Sequence, residues 1–114
     1  MAGGIARGEV RLCRFADPDK QRPVVVLTRN AAIPLLSNVT VAPITSTVRG
    51  VPTEVTLDES DGMKGLCVVN LHNVVTVPKS KLGGYVATLG TDRMEQLCAA
   101  LRIATDCSPG PRPN

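Results

Sequence analysis

Two short apolar stretches constrain the fold of this chain more than any other feature. The first is residues 24–27, three valines and a leucine, which is too short and too rich in β-branched residues for a good helix. The second is residues 41–44, which is predicted to be another strand. Both stretches have the flanks of buried strands, so the chain should fold around a small sheet.

Each of these predicted strands carries polar residues at one end. Arg22 stands before Pro23 at the entrance of the valine strand, and Thr45, Ser46 and Thr47 close the second strand. A fixed cation and several hydroxyl donors bind a phosphate group through charge-assisted hydrogen bonds. The sequence therefore predicts a phosphate site where the ends of the two strands meet.

Further strands are expected on both sides of this pair. Alternating or β-branched patterns predict further strands over residues 8–15, 52–57 and 85–89 and extend the second strand of the pair to residues 39–45, with a brief helical turn within residues 30–37. Residues 66–77 have strand composition throughout and form either one bent strand or two in succession. Residues 54–61 hold four carboxylates and no basic residue, which is typical of a face exposed to solvent. The alternative interpretation is a docking point for a basic partner.

One amphipathic helix is predicted near the end of the chain, with Thr91 as its N-cap. Its apolar stripe consists of Met94, Leu97, Cys98 and Leu101, and this spacing is typical of core packing. The predicted fold class is mainly β, a small and partly open β-barrel packed by a C-terminal amphipathic helix. Residues 1–107 are expected to form a single domain, and residues 108–114, with three prolines, are expected to form a disordered tail.

Composition narrows the ways in which such a domain could bind a nucleic acid. A net charge of +3 is mildly basic and lacks the polybasic tail of a nonspecific binder. Phe15 and Tyr85 are the only aromatic residues, so stacking on aromatic side chains cannot be the main source of RNA affinity. Contacts to the RNA backbone and hydrogen bonds to base edges would have to dominate.

The four cysteines and one histidine have no metal-ligand spacing. We therefore predict no metal site and no cofactor, and we interpret the cysteines, Cys13, Cys67, Cys98 and Cys107, as small buried apolar residues. No stretch has the features of a signal peptide or is long enough to span a bilayer. The expected location is the cytoplasm, with reduced thiols and no membrane contact.

Three motifs, in this order and each in strand context, resemble those of the MazF/PemK family of toxin endoribonucleases from bacterial type II toxin–antitoxin pairs. They are Arg7-Gly8-Glu9, Arg22-Pro23 and Pro43-Ile44-Thr45, and the resemblance extends from about residue 7 to residue 107. The resemblance implies an SH3-like barrel that cleaves single-stranded RNA at selected sequences, without a metal ion and through a 2′,3′-cyclic phosphate. It also implies a homodimer with RNA across its interface, inhibited by a cognate MazE-like antitoxin.

The predicted catalytic residues are Arg22, Thr45 and His72. Arg22 is always protonated and suits stabilisation of charge on the phosphate, while Thr45 resembles the threonine that donates a hydrogen bond in the family. If the strand through residue 70 is unbroken, Asn70 and His72 share one face. His72 is then a base, an acid or a structural residue, with Glu9 as a reserve base.

The predicted RNA-binding residues are Lys20, Ser46, Thr47, Arg49 and Asn70. The loop at residues 17–20 is shorter than the family's usual loop, so Asp17, Asp19 and Lys20 are weak candidates for that loop's role.

Two other functions remain as alternatives to RNA cleavage. One is a non-enzymatic toxin of the CcdB type, which shares the barrel and binds a protein such as gyrase, although such a toxin would need neither Arg22 nor Thr45. The other is a plain RNA-binding barrel, which the scarcity of aromatic residues disfavours.

Overall fold

In the computed structural model, which describes residues 4–15 and 20–107, the valine stretch belongs to the second of seven antiparallel strands. The strands are β1 (Glu9–Arg14), β2 (Gln21–Val26), β3 (Asn38–Thr45), β4 (Glu54–Leu57), β5 (Cys67–Asn70), β6 (Val75–Pro78) and β7 (Leu82–Thr88). The helix α1 (Thr91–Thr105) follows them. The loop residues Asp17 and Asp19 and the predicted tail lie outside the described residues.

The strands form one sheet in the order β4-β5-β3-β2-β1-β7, and β6 pairs with β3. Strand β3 pairs with β2 along one edge, while its other edge pairs with β6 through its first half and with β5 through its second half. The sheet remains open along this path. The prediction of a mainly β fold with one C-terminal helix is confirmed.

The three valines of β2 are fully buried because the sheet is covered on both faces at this strand. Side chains alternate along a strand, so Val25 packs in one apolar cluster while Val24 and Val26 pack in the other. The first cluster also contains Leu97 of α1. This double burial explains why residues 24–26 of β2 are all apolar without alternation, whereas Gln21 and Arg22 at the exposed start of the strand are polar.

The predicted strand over residues 66–77 is two strands in succession. Strand β5 ends at Asn70, and a 3₁₀ turn (Leu71–Asn73) separates it from β6. The Asn70 side chain stops the strand, since its Oδ1 accepts the backbone N–H of His72 at 3.2 Å. Of the two alternatives, two strands in succession is the one observed, so the condition under which Asn70 and His72 would share one face of a strand is not met.

The acidic segment at residues 54–61 has structural contacts that its composition did not reveal. The Glu54 carboxylate accepts the backbone N–H groups of Arg49 and Gly50. Asp58 and Asp61 form a capping box around the 3₁₀ turn between them, and Asp61 also accepts the Arg93 guanidinium of α1 at 3.1 Å. Three of the four carboxylates thus hold local structure together.

Helix α1 packs on the sheet through the predicted stripe. Leu97 is buried, Met94 and Leu101 pack against the core, and Cys98 is half-buried beside Arg7. The N-cap is Gly90, one residue before the predicted Thr91, and it has no side-chain capping hydrogen bond within the described part of the chain. Among the described residues, no helix is both long and apolar enough to cross a membrane.

Candidate functional site

The pairing of β2 with β3 places the predicted cation beside the predicted hydroxyl. The register pairs Val24 with Pro43 and Val26 with Val41. The paired residues of β2 and β3 end at Val24 and Pro43, and Arg22 and Thr45 lie two residues further along their strands at this end. Both residues line the same two clefts, so their side chains are neighbours.

Two clefts meet at this pair of residues. Arg22, Ile44 and Thr45 line both clefts, whose volumes are about 790 and 460 Å³. A ligand that runs from one cleft into the other must therefore pass Arg22 and Thr45.

The larger cleft, here called the apolar cleft, has mainly apolar walls. Its side chains include Leu12, Pro23, Met63, Leu66 and Val86. Lys20, Lys64 and Ser46 also line it and supply a cationic and hydroxyl component. Such a cleft can accommodate a flat apolar group next to a negatively charged one.

The smaller cleft, here called the polar cleft, is lined by hydrogen-bonding side chains. These are Arg22, Thr45, Thr47, Arg49, Asn70, His72 and Asn73. The part of the chain that the structure describes contributes two guanidinium groups and no carboxylate to this lining. The polar cleft is therefore suited to an anionic ligand.

The Thr45 hydroxyl is held in a defined position. Its Oγ1 accepts the backbone N–H of Thr47 at 3.1 Å. A hydroxyl has one proton and two lone pairs, so accepting this bond leaves the proton free to be donated. Thr45 is half-buried and can offer that proton to a ligand oxygen at the junction of the clefts.

The Arg22 side chain is exposed and is not tied down within residues 4–15 and 20–107, where no hydrogen bond or ion pair engages its guanidinium. A guanidinium stays charged at all physiological pH values and can donate two parallel hydrogen bonds to a phosphate. Arg22 thus meets the chemical requirements of the predicted phosphate site.

His72 lies in the 3₁₀ turn after β5 and lines the polar cleft. Its Nδ1 is 2.6 Å from Oγ1 of Thr53, while the Asn70 side chain holds its backbone N–H. Asn70 is only 8% exposed, because its side chain closes this turn. Asn70, a predicted RNA-binding residue, lines the polar cleft, and its Oδ1 positions the backbone of His72.

The other predicted binding residues divide between the two clefts. Lys20 and Ser46 line the apolar cleft, whereas Thr47 and Arg49 line the polar cleft. Glu9, the reserve base, lines neither cleft. Its Oε1 accepts the backbone N–H of Ala6 and pairs with Arg11 at 3.0 Å.

The Arg7-Gly8-Glu9 motif has a structural role away from the clefts. The Arg7 guanidinium donates to the Leu27 carbonyl oxygen and to Sγ of Cys98, which joins the end of β2 to α1. Gly8 has a φ of 90°, a conformation that favours glycine. The motif therefore fixes the entry of β1 and supplies no side chain to the site.

Three further residues of the site, two of which line a cleft, had no signal in the sequence. Lys64 lines the apolar cleft and Asn73 the polar cleft, and Thr53 contacts the ring of His72. Each lies in a turn or just outside a strand, and only the pairing of distant strands brings it to the site.

Cys67 also lines the apolar cleft but is not a nucleophile at neutral pH. Burial raises the pKa of its thiol, and the negative charges of Asp61 and Asp58 raise it further. The thiol stays protonated and contributes an apolar wall.

Comparison with known proteins agrees with these motifs. A family model described as "PemK-like, MazF-like toxin of type II toxin-antitoxin system" matches residues 6–105. The chain is 45% identical over 104 residues to "Probable endoribonuclease MazF5" of Mycobacterium tuberculosis, a match that covers 90% of this chain and 94% of the relative. It is 42% identical over 97 residues to "Endoribonuclease MazF3" of the same organism, which covers 85% of this chain and 94% of the relative.

Solved structures are similar over most of their length. "Mycobacterium tuberculosis toxin MazF-mt6" superposes with a TM-score of 0.80 at 39% identity, covering 88% of this chain and 98% of that one. "Endoribonuclease in complex with its cognate antitoxin from Mycobacterial species" superposes with a TM-score of 0.83 at 29% identity, covering 95% and 100% of the two chains.

Proposed function

Because the chain belongs to the PemK-like, MazF-like family of toxins from type II toxin–antitoxin systems, we propose that it is an endoribonuclease that cleaves single-stranded RNA. Relatives that match over nine-tenths of their length are named endoribonucleases. The observation that carries the proposal is that Arg22 and Thr45 both line the two clefts at the point where the clefts meet.

The proposed chemistry uses the RNA itself as the nucleophile. The 2′-oxygen attacks the adjacent phosphorus, the bond from phosphorus to the 5′-oxygen breaks, and the products are a 2′,3′-cyclic phosphate and a 5′-hydroxyl. The protein must remove the proton of the 2′-hydroxyl, supply a proton to the 5′-oxygen and stabilise charge on the phosphoryl oxygens. A metal ion is not required for any of these steps.

Arg22 and Thr45 stabilise the phosphoryl oxygens in this proposal. The exposed guanidinium of Arg22 donates two hydrogen bonds, and the Thr45 hydroxyl donates the proton that its bond from Thr47 leaves free. Both donors come from the ends of buried strands, so their backbone positions are fixed before the RNA binds. The Thr45 hydroxyl is already held in place, whereas the exposed Arg22 guanidinium turns toward the phosphate when the RNA binds.

His72 is the proposed proton-transfer group. It lines the polar cleft together with Arg22 and Thr45, and histidine changes charge between about pH 5 and 8. Glu9 is bound to Arg11 outside both clefts, which favours His72 over Glu9 for this role.

The RNA strand is proposed to extend through both clefts. Lys20 and Ser46 contact one side of the cleaved phosphate, and Thr47 and Arg49 contact the other. Neither Phe15 nor Tyr85 lines a cleft, so sequence selectivity would come from hydrogen bonds to base edges.

The proposed partners follow from the relatives. One similar structure is an endoribonuclease in complex with its cognate antitoxin, and we propose that a MazE-like antitoxin inhibits this chain by the same kind of association. We also propose that the toxin is a homodimer and acts in the cytoplasm.

The test is cleavage of a long single-stranded RNA by the purified protein with and without EDTA, followed by mapping of the ends. We expect cleavage at defined positions in EDTA, with cyclic phosphate on one fragment and a 5′-hydroxyl on the other. Activity lost on chelation and restored by a divalent ion would contradict the mechanism. A folded, antitoxin-binding protein that never cuts RNA would favour the non-enzymatic toxin.

A further inference from the structure

We propose that Thr53 is a positioning residue for His72: it holds Nδ1 of the ring and so directs Nε2 toward the RNA in the polar cleft. The catalytic consequence rests on the function proposed above, but the contact itself does not. Thr53 lies in the turn directly before β4, and no sequence pattern predicted it to be part of a site.

The contact is short and is built on a fixed backbone. Thr53 Oγ1 and His72 Nδ1 are 2.6 Å apart. The backbone carbonyl of Thr53 also accepts the N–H of Leu71 at 2.8 Å, directly before His72. Strand β4 begins at the next residue, where Glu54 pairs with Asn70. The two side chains are therefore brought together by the pairing of β4 with β5.

The second anchor of His72 is Asn70, whose buried side chain accepts the backbone N–H of His72. Asn70 thus fixes the main chain, and Thr53 fixes the ring. In the part of the chain that the structure describes, Thr53 is the hydrogen-bond partner of the ring. This leaves Nε2 as the nitrogen available to a ligand.

The hydroxyl of Thr53 suits a ring that gains a proton. When Nδ1–H donates to Oγ1, Nε2 carries a lone pair and can accept the proton of the 2′-hydroxyl. The protonated ring keeps the same Nδ1–H bond to Oγ1, so it need not turn. The proton at Nε2 can then pass to the departing 5′-oxygen, which completes the transfer.

The charged groups around His72 come from several elements. Arg22 and Arg49 line the same cleft, and Glu54 of β4 is engaged by the backbone of Arg49 and Gly50. Helix α1, which packs on the turn, carries Asp92, Arg93, Glu95 and Arg102. Strand β3, which also packs on this turn, carries no charged residue. The neutral hydroxyl of Thr53 is the group that touches the ring.

The first experiment observes the ring directly by ¹⁵N NMR. His72 is the only histidine of the chain, so its ring signals need no assignment. We expect one dominant tautomer, with the proton on Nδ1, in the native protein and in Thr53→Ser. Thr53→Val has a similar shape without the hydroxyl and should show a mixture of tautomers. An identical tautomer in native protein and Thr53→Val would overturn the proposal.

The second experiment measures cleavage in a double-mutant cycle with His72→Gln. Removing one neutral hydrogen bond predicts a loss in kcat of roughly fivefold to tenfold for Thr53→Val, with KM nearly unchanged. In the His72→Gln background, Thr53→Val should cost nothing further, because the residue acts through the ring. An equal loss in both backgrounds would show that Thr53 acts independently and would overturn the proposal.

A third variant tests the electrostatic sign. Thr53→Asp places a carboxylate against Nδ1, which favours the protonated ring and should move the acid limb of the pH–rate profile to higher pH. The NMR titration midpoint of His72 should move in the same direction. An unmoved midpoint in folded Thr53→Asp would contradict the contact. If the native protein itself does not cleave RNA, the proposed function is contradicted. The NMR comparison still decides whether Thr53 positions the ring of His72.

Discussion

At the scale of single residues, the candidate site depends on two donors with different chemistry. Arg22→Ala removes a permanent charge from the junction of the clefts and should reduce cleavage by roughly a hundredfold or more. The measurement is kcat/KM on a defined RNA. Arg29→Ala is the matched control, since Arg29 is exposed and lines neither cleft, and it should cleave normally. Near-normal rates in folded Arg22→Ala would move the site elsewhere.

Thr45 should contribute less than Arg22, because a neutral hydrogen bond is weaker than a charge-assisted one. We expect Thr45→Val to lose roughly tenfold in cleavage rate, the effect of about 1.4 kcal/mol. Thr45→Ser keeps the hydroxyl and should stay close to the native rate. A near-native rate in folded Thr45→Val would show that the hydroxyl does not contribute to cleavage.

At the scale of elements, the 3₁₀ turn after β4 makes stability depend on pH. The Ser60 hydroxyl, and then its backbone N–H, lower the pKa of the Asp58 carboxyl. A carboxyl group whose pKa is lower in the folded than in the unfolded protein stabilises the fold above the unfolded pKa of about 3.9. This stabilisation is lost as pH falls through the pKa of the folded protein. Asp58→Asn should therefore lower Tm at neutral pH. The difference in Tm between the native protein and this variant should narrow below about pH 4.

The control for that prediction is Glu59→Gln, which removes an exposed carboxylate from the same turn. Its thermal unfolding curve should follow the native protein at every pH. A gap between Asp58→Asn and native protein that stays constant from neutral pH to pH 3 would show that charge at Asp58 does not stabilise the turn.

At the scale of the whole molecule, one core joins the helix to the sheet. Leu97 of α1 is 1% exposed and packs in the cluster that contains Val25 of β2. Leu97→Ala should reduce the free energy of unfolding by about 2–5 kcal/mol, while the transition stays cooperative. Ile103→Ala changes an exposed residue of the same helix and should alter stability by about 0.5 kcal/mol or less. Denaturant unfolding followed by circular dichroism compares the two.

The sequence predicted the regular parts of this molecule well. Apolar stretches located β2 and β3, the apolar stripe located α1, and the motif at Arg22 indicated the family. Most boundaries moved by a residue or two, as with Gly90 in place of Thr91 at the helix start, but β7 begins at Leu82, three residues before its predicted start. The catalytic roles of Arg22, Thr45 and His72 stay predictions until the variants are measured.

What the sequence determined by itself is local: hydrophobic periodicity, β-branched composition and motif order depend on neighbours along the chain. What only the tertiary structure decided is which distant residues meet. The Asn70 side chain ended a strand that composition would have continued, and the pairing of β4 with β5 set Thr53 against His72. Strand register joins positions far apart in sequence, so no local pattern could have placed Thr53 at the site.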